Sequence, residues 1–347
     1  MKFYTKQHQY YCGIDLHAKS MYICILDDNN QVRFHKDVKT KPEALLKAIE
    51  PYMDNLVLAV ECMFCWYWVA DFCEDHNIKF ILGHALYMKS IHGGKAKNDK
   101  VDSYKIASLV KGGNFPVAYV YPRAMRSTRD LLRRRMHLMR KRAELVRHVI
   151  NTNTQYNFDP LGKNLRYRGN RDLIDGRFDD PSVQKSVDLD ISLINFYDDQ
   201  LRDVEYYIRK HAKVNDYQSY MLLNSVPGIG QIISLVLLYE IDDIRRFPKV
   251  QDFASYARLI KCKAESAGKI HGTSGAKIGN AHLKWAFSEA AVLFLRGNDR
   301  GKAYQNRLLK KHSPGKTLSI LAHKIGRAVY FILKRKEPFN MDVFLPA

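Results

Sequence analysis

No run of 18 consecutive apolar residues occurs in the chain, which argues against a membrane-spanning helix. The opening Met1-Lys2-Phe3-Tyr4-Thr5-Lys6-Gln7 lacks the pattern of a secretory signal. Cysteine is scarce: Cys12, Cys24, Cys62, Cys65, Cys73 and Cys262 fall mostly in expected strands and helices, so no disulfide framework is indicated and a reducing compartment fits. Acid is short as well. Against 56 Lys and Arg stand 36 Asp and Glu, a net charge of +20. The expectation is a soluble, cytoplasmic, nucleoid-associated protein, not bound to a membrane, whose partner carries many phosphates. With 347 residues, 46% of them hydrophobic, the chain can bury more than one core, and two domains are the natural prior.

Cys62-Met63-Phe64-Cys65, with Cys73 and His76, has the look of a zinc set. On a helix, however, Cys62 and Cys73 would be separated by roughly 16 Å of rise, too far to share one ion. Buried thiols on an apolar helix face are the better reading.

Three β-rich runs, Tyr10 to Leu16, Met21 to Asp27 and Gln31 to Val38, are separated by short polar turns and predict a three-stranded meander. A helix from Pro42 to Tyr52, the apolar strand Leu56 to Val60, a helix from about Phe64 to His76 and a strand at Phe80 to Leu82 follow. Strands alternating with helices after a meander predict a mixed α/β sheet. Further helices are expected over Val101 to Lys111 and Arg123 to Gln155. The second is strongly basic, and Arg126, Arg133, Arg134, Arg140 and Lys141 are candidates for phosphate contact; a merely solvated face is the alternative.

Residues 157–181, rich in Gly, Asp, Asn, Pro and Arg, read as a linker or an irregular nucleic-acid-binding segment. Beyond them Ile194, Tyr197, Leu201, Val204 and Ile208 recur at steps of three and four, a heptad seam that could serve self-association or pack on its own domain. The domains expected are residues 1–155, a catalytic α/β domain with its basic helix; 156–215, a linker and coiled-coil-like helix; and 216–347, a mainly helical domain.

Asp15 closes the first strand and Glu61 the buried fourth. If these strands are adjacent and parallel, both carboxylates leave the sheet at the edge where α/β proteins place their sites. Asp99 and Asp102 lie three apart at a helix start, on one face. Helix capping is the alternative for this pair. Taken together, four acids in a chain of such positive charge suit two Mg²⁺ ions, one activating an attacking oxygen and the other stabilising the leaving oxygen of a phosphodiester.

Gly13-Ile14-Asp15-Leu16-His17, Glu61 and Lys97-Asn98-Asp99-Lys100-Val101-Asp102-Ser103 together resemble the Asp-Glu-Asp-Asp (DEDD) transposases of bacterial insertion sequences, relatives of the Piv-type DNA invertases. The likeness extends over nearly the whole chain. It implies an amino-terminal domain with the RuvC, ribonuclease H-like fold, a carboxyl-terminal transposase domain, and Asp15, Glu61, Asp99 and Asp102 as catalytic ligands of Mg²⁺.

In the second domain Val226-Pro227-Gly228-Ile229-Gly230, between helices, can turn backbone N–H groups toward a phosphate through Gly228 and Gly230, or serve as a plain helix–helix turn. The small-residue segments Lys263 to Lys269 and His271 to Asn280 suit a loop near phosphates, with Lys269 and Lys277 as contacts. The resemblance implies a serine nucleophile in this loop that links covalently to DNA. Alignment back from Gly279-Asn280-Ala281-His282-Leu283-Lys284 places it at Ser266, with Ser274 as the alternative. Ala267 stands where the family pattern has glycine, and Glu265 where serine is common. If the assignment holds, the two domains build one composite site.

The resemblance further implies a transposase or site-specific recombinase guided by a structured bridge RNA that pairs with donor and target DNA, assembled as a dimer of dimers. The alternatives left open are a junction-resolving endonuclease with water as nucleophile, and a non-catalytic nucleic-acid-binding protein.

Overall fold

The computed structural model describes residues 2–91, 98–212, 216–274 and 278–346. The chain divides into two compact units, Met1–Ala124 and Met125–Ala347.

The first unit is built on one sheet. A short strand β1 (Phe3–Tyr4) precedes β2 (Tyr10–Leu16), β3 (Ser20–Asp27) and β4 (Val32–Lys39), the expected antiparallel meander. Helix α1 (Pro42–Ile49) ends sooner than the sequence suggests. Pro51 cannot donate to the helical ladder, and residues Glu50–Asn55 tighten into a 3-10 helix. Then follow β5 (Leu56–Glu61), α2 (Tyr67–Asp75), β6 (Lys79–Gly83), α3 (Ala85–Ile91), α4 (Asp99–Lys111) and β7 (Phe115–Ala118).

The strand order is β1-β7-β6-β5-β2-β3-β4, with β5 parallel to both β2 and β6. A meander joined to parallel strands, with helices between them, is the ribonuclease H-like arrangement. The central strands are apolar along their length because both faces are covered: Val57 and Ala59 face one core with Tyr11, Ile106 and Phe115, while Leu58 and Val60 face another with Cys12, Ile14 and Val69.

The second unit is mainly helical. Helix α5 (Arg123–Gln155), whose first two residues belong to the first unit, contains neither Gly nor Pro and runs unbroken for 33 residues. Helix α6 (Pro181–His211) starts with Asp180 as N-cap, its side chain accepting from Ser182 N and Val183 N, and with Pro181 in the first turn. Between them, residues 157–181 are not a linker. They carry a 3-10 helix (Arg168–Ile174), and Leu165, Ile174 and Phe178 form a small core with Val146 and Val149 of α5 and Val187 and Ile194 of α6. Composition suggests a linker, but a few well-placed apolar residues and the buried Arg171 fix the segment. Arg171 Nε donates to Leu165 O at 3.0 Å, and its Nη2 pairs with Asp198 at 2.5 Å.

The heptad seam is likewise used inside the chain. Ile194 is buried in that small core, and Ile208 lies in the main core beside Leu132, with Val204 packed against it. Of the two readings of the stripe, the structure shows packing on its own unit at Ile194, Leu201 and Ile208, while Tyr197 and Val204 stay partly exposed.

Helices α7 (Tyr217–Asn224), α8 (Gln231–Ile241) and α9 (Val250–Tyr256) lead to a hairpin, β8 (Cys262–Ser266) and β9 (Lys269–Ser274). Helices α10 (Ala281–Phe294), α11 (Asp299–Leu309), α12 (Pro314–Arg335) and α13 (Met341–Phe344) complete the unit. α8, apolar around most of its circumference, is buried among α7, α10 and their neighbours, with Glu240 its one buried charge.

Candidate active site

Neighbouring residues of parallel strands point to the same side of a sheet, and side chains along one strand alternate. Ile14 of β2 pairs with Val60 of β5, so Asp15 and Glu61, each one residue further on, leave the sheet together. Both are half-buried. Gly13 and Asp15 share one face of β2, and that face meets α4. A Cβ on Gly13 would fall within the van der Waals envelopes of Ser103 O and Ala107 N. Only glycine lets α4 lie against the strand, and this close seat sets the first turn of α4 beside Asp15. His35 of β4 fastens the same turn, its Nε2 lying 2.9 Å from Lys100 O and 3.3 Å from Ser103 Oγ.

The N-cap of α4 is Asn98, whose side chain accepts from Val101 N at 2.8 Å. Neither Asp99 nor Asp102 is therefore the N-cap, although both lie in the first turn, where the helix dipole favours negative charge. His17, two residues beyond Asp15, completes the group: its Nε2 is 3.4 Å from Asp15 Oδ2 and 3.5 Å from Asp99 Oδ2. Asp102 pairs with Lys105 at 3.6 Å. Burial pushes the Asp15 carboxyl above its usual range; His17 opposes the shift, and the charges of Asp99 and Asp102 add to it.

A ring nitrogen set between two carboxylates marks a point where positive charge is favoured. Among the described residues, ligand atoms of Asp15, His17 and Asp99 all come within 4.8 Å of one another. The donor set is rich in hard oxygen with one imidazole, which suits Mg²⁺ or Mn²⁺. Glu61 and Asp102 do not join that group of three at that spacing. His17 was not singled out by the sequence reading, although the two-residue period of a strand puts it on the face of Asp15.

The loop after Glu61 is pinned to this edge. Cys62 N donates to Gly83 O at 3.0 Å, and Cys65 Sγ donates to Leu16 O at 3.7 Å. On it Phe64 stands 82% exposed, an open ring on which a base can stack. The thiols are not a metal set: Cys73 lies in the core, where burial pushes it up to about 12, while Cys62 is exposed.

The basic helix is less open than its sequence suggests. Arg126 is only 5% exposed, and Arg133 donates from Nε to Glu240 Oε1 at 2.6 Å and from Nη2 to Oε2 at 3.0 Å. Arg129 Nη2 joins the same carboxylate at 2.9 Å, as does Asn280 Nδ2 at 2.7 Å. Arg126, expected to touch nucleic acid, is buried, and Arg133, still one-third exposed, has its guanidinium committed to a buried carboxylate far along the chain. Arg134, Arg140 and Lys141 do face solvent, Lys141 within 3.0 Å of Glu144.

Asn280 is also the N-cap of α10, accepting from His282 N and Leu283 N. Burial and the nearby Arg133 push His282 down to about 4.

In the second unit Gly228 has φ +86, and a Cβ there would strike the α10 backbone at Phe294 N, so this glycine serves helix packing. Gly230 is the exposed N-cap of α8, with open space around it. Ser266 ends β8, paired with Lys269 across a two-residue turn, and both are exposed. The expected loop is therefore a hairpin. Its turn residues Ala267 and Gly268 have φ +50 and +73, so Ala267 occupies a left-handed position that favours glycine. Ser274 ends β9 opposite Cys262. Lys277 lies outside the described residues, as does Lys97.

A ribonuclease H-like sheet with acids at the carboxyl edge of its parallel strands, followed by a helical unit, defines a RuvC-like class of protein. A transposase profile of the DEDD, IS110 type matches residues 12–158, and one described as the transposase IS116/IS110/IS902 family matches residues 220–306. The chain belongs to this family of insertion-sequence transposases. It is similar to an uncharacterized 43.6 kDa protein of insertion element IS110 from Streptomyces coelicolor, 30% identical over 121 residues, which cover 34% of this chain and 29% of that protein. It is also similar to the transposase for insertion sequence element IS1111A of Coxiella burnetii, 21% identical over 252 residues, 70% of this chain and 68% of that one. The first of these alignments thus spans less than a third of its relative. Among the described residues no helix is long and apolar enough to cross a membrane.

Proposed function

We propose that this protein is a DNA transposase that cuts and rejoins strands through Ser266, with Mg²⁺ at the acidic edge of the first unit. The observation that carries the reading is the seating of α4 on Gly13, which gathers acids from separate segments around Asp15 in an otherwise basic chain. Asp15, Glu61, Asp99 and Asp102 would hold one or two ions, with His17 beside them. When bound, such ions neutralise charge on the scissile phosphate and lower the cost of deprotonating an attacking hydroxyl.

In the reaction the Ser266 hydroxyl gives up its proton as Oγ bonds to phosphorus. The bond from phosphorus to a deoxyribose oxygen breaks, and that oxygen takes a proton. Attack by the hydroxyl of a second strand reverses the step, restoring the serine and joining the new strand. Arg134, Arg140, Lys141, Gly230 and Lys269 are the solvent-facing groups suited to phosphate contact.

Ser266→Ala tests the nucleophile. On a substrate that traps the intermediate, the covalent protein–DNA adduct should vanish while DNA binding stays within about twofold. Cleavage at the original rate would overturn the serine and leave water as the attacking group.

The same reading includes a bridge RNA guiding the choice of DNA, which the excess of positive charge supports. Sequencing of RNA that copurifies with the active protein should recover one structured species with segments complementary to donor and target. Activity with no specific RNA would overturn this part alone. Assembly as a dimer of dimers would use faces other than the heptad seam; on α6, Leu189, Leu193 and Phe196 remain exposed.

A further inference from the structure

We propose that a groove at the carboxyl end of α5 binds an unpaired strand of DNA, an inference that rests on the protein's acting on DNA as proposed above. The end of α5 forms one wall and residues 158–166 the other, around a cavity of about 900 Å³. That volume is at the upper end of small-ligand sites and has room for a few nucleotides of one strand.

The charge in the groove is of one sign. Arg147, Lys163 and Arg166 line it and no acid is among the lining residues, the nearest acids along the chain being the exposed Asp159 in the same segment and Glu144 one turn before Arg147. Several other arginines of α5 are held by acids, Arg133 by Glu240, Arg135 by Glu205 and Arg142 by Asp198, whereas Arg134 and Arg140 face solvent. Among the described residues none of the three groove cations makes a salt bridge, and all three are exposed.

Between the cations the wall is apolar, with Ile150 46% exposed above the buried Val146 and Leu165. Tyr156 and Tyr167, exposed, flank the 158–166 wall in sequence. Cations that track a backbone and apolar or aromatic surface that receives bases are what an unpaired strand requires. An acidic peptide would use the cations and leave the apolar wall without purpose.

The groove is preformed. Asn153 Nδ2 donates to Phe158 O at 3.1 Å and to Asp159 O at 3.0 Å, and Arg177 Nε donates to Asn153 Oδ1 at 2.6 Å. The 158–166 segment is thus held before any ligand arrives, which lowers the ordering cost of binding.

The test uses the full-length protein and a fluorescein-labelled 12-nucleotide oligothymidylate, read by anisotropy over a salt series. The triple variant Arg147→Ala, Lys163→Ala, Arg166→Ala should bind at least about tenfold more weakly. The slope of log affinity against log salt should shrink by about 2, because each phosphate contact on a single strand contributes about 0.7. Binding of a nonspecific 40-base-pair duplex should change less than about twofold, and the thermal midpoint should be unmoved.

Unchanged oligothymidylate binding by the triple variant would overturn the groove. So would equal losses for single strand and duplex, or tighter binding of oligouridylate or a polyglutamate peptide than of oligothymidylate. Wild-type cleavage of DNA in Mg²⁺ alongside any of these results sinks the groove and leaves the transposase reading intact. Absence of wild-type cleavage with the expected oligothymidylate results sinks the latter alone.

Discussion

Asp15→Asn is expected to reduce Mg²⁺-dependent DNA cleavage by at least about a thousandfold, the several kcal/mol that metal-held charge contributes at a transition state. The side chain keeps its shape and loses the charge around which the other acids are grouped. In the absence of metal the substitution should leave folding intact or improve it. Asp15 is already pushed toward its neutral form by burial and by Asp99 and Asp102, so an uncharged amide relieves an unfavourable arrangement that only a cation justifies. Cleavage assays in Mg²⁺, paired with thermal melts in a chelator, give both readings. Cleavage at the wild-type rate would show that the reaction does not depend on the Asp15 charge, whereas no Mg²⁺-dependent cleavage by the wild type itself would return the protein to the class of non-catalytic nucleic-acid binders.

Glu240→Ala should destabilise the second unit by about 3–5 kcal/mol, the usual cost of removing one partner from a buried charge cluster. It would strand Arg129 and Arg133 without their carboxylate and deprive Asn280 of its acceptor. Urea unfolding followed through that unit measures the loss, and a value below about 1 kcal/mol would show the cluster to be dispensable.

The pH dependence follows from the same group. Burial alone would raise the Glu240 carboxyl, but the hydrogen bond from Arg133, the charges of Arg129 and Arg133 and the bond from Asn280 outweigh it and hold it below its usual range. A carboxyl lowered in the folded state contributes stability that is present above its unfolded value, about 4.3, and is lost as pH falls through the lower folded one. Acid unfolding should therefore have a limb below about pH 4 that Glu240→Gln removes.

Much of this architecture was readable from local pattern. The meander, β5, β6 and the 33-residue α5 follow from alternation, turn chemistry and the lack of helix breakers. What escaped was set by distant partners. β1 has two residues and exists because Phe3 and Tyr4 pair with Pro116 and Phe115 of β7, a contact no local window contains. α3 and β7 were missed for want of a strong period.

The arginines of α5 look alike in sequence. Only the approach of Glu240, 107 residues away from Arg133, decides that this one turns inward. The acids were legible as types and spacings, but the choice between capping and a site needed the Asn98 cap, and His17 needed the facing of β2.

The seat of α4 on Gly13 has a consequence for the cell as well as for the site. β2 leaves the ribosome well before α4, so Asp15 is synthesised long before the acids that complete its surroundings. Until the helix settles on its glycine, the chain holds the acids of the proposed centre apart. On the proposed function, a nascent or misfolded chain would be unable to cut DNA, and only completion of the tertiary structure would bring the acids together.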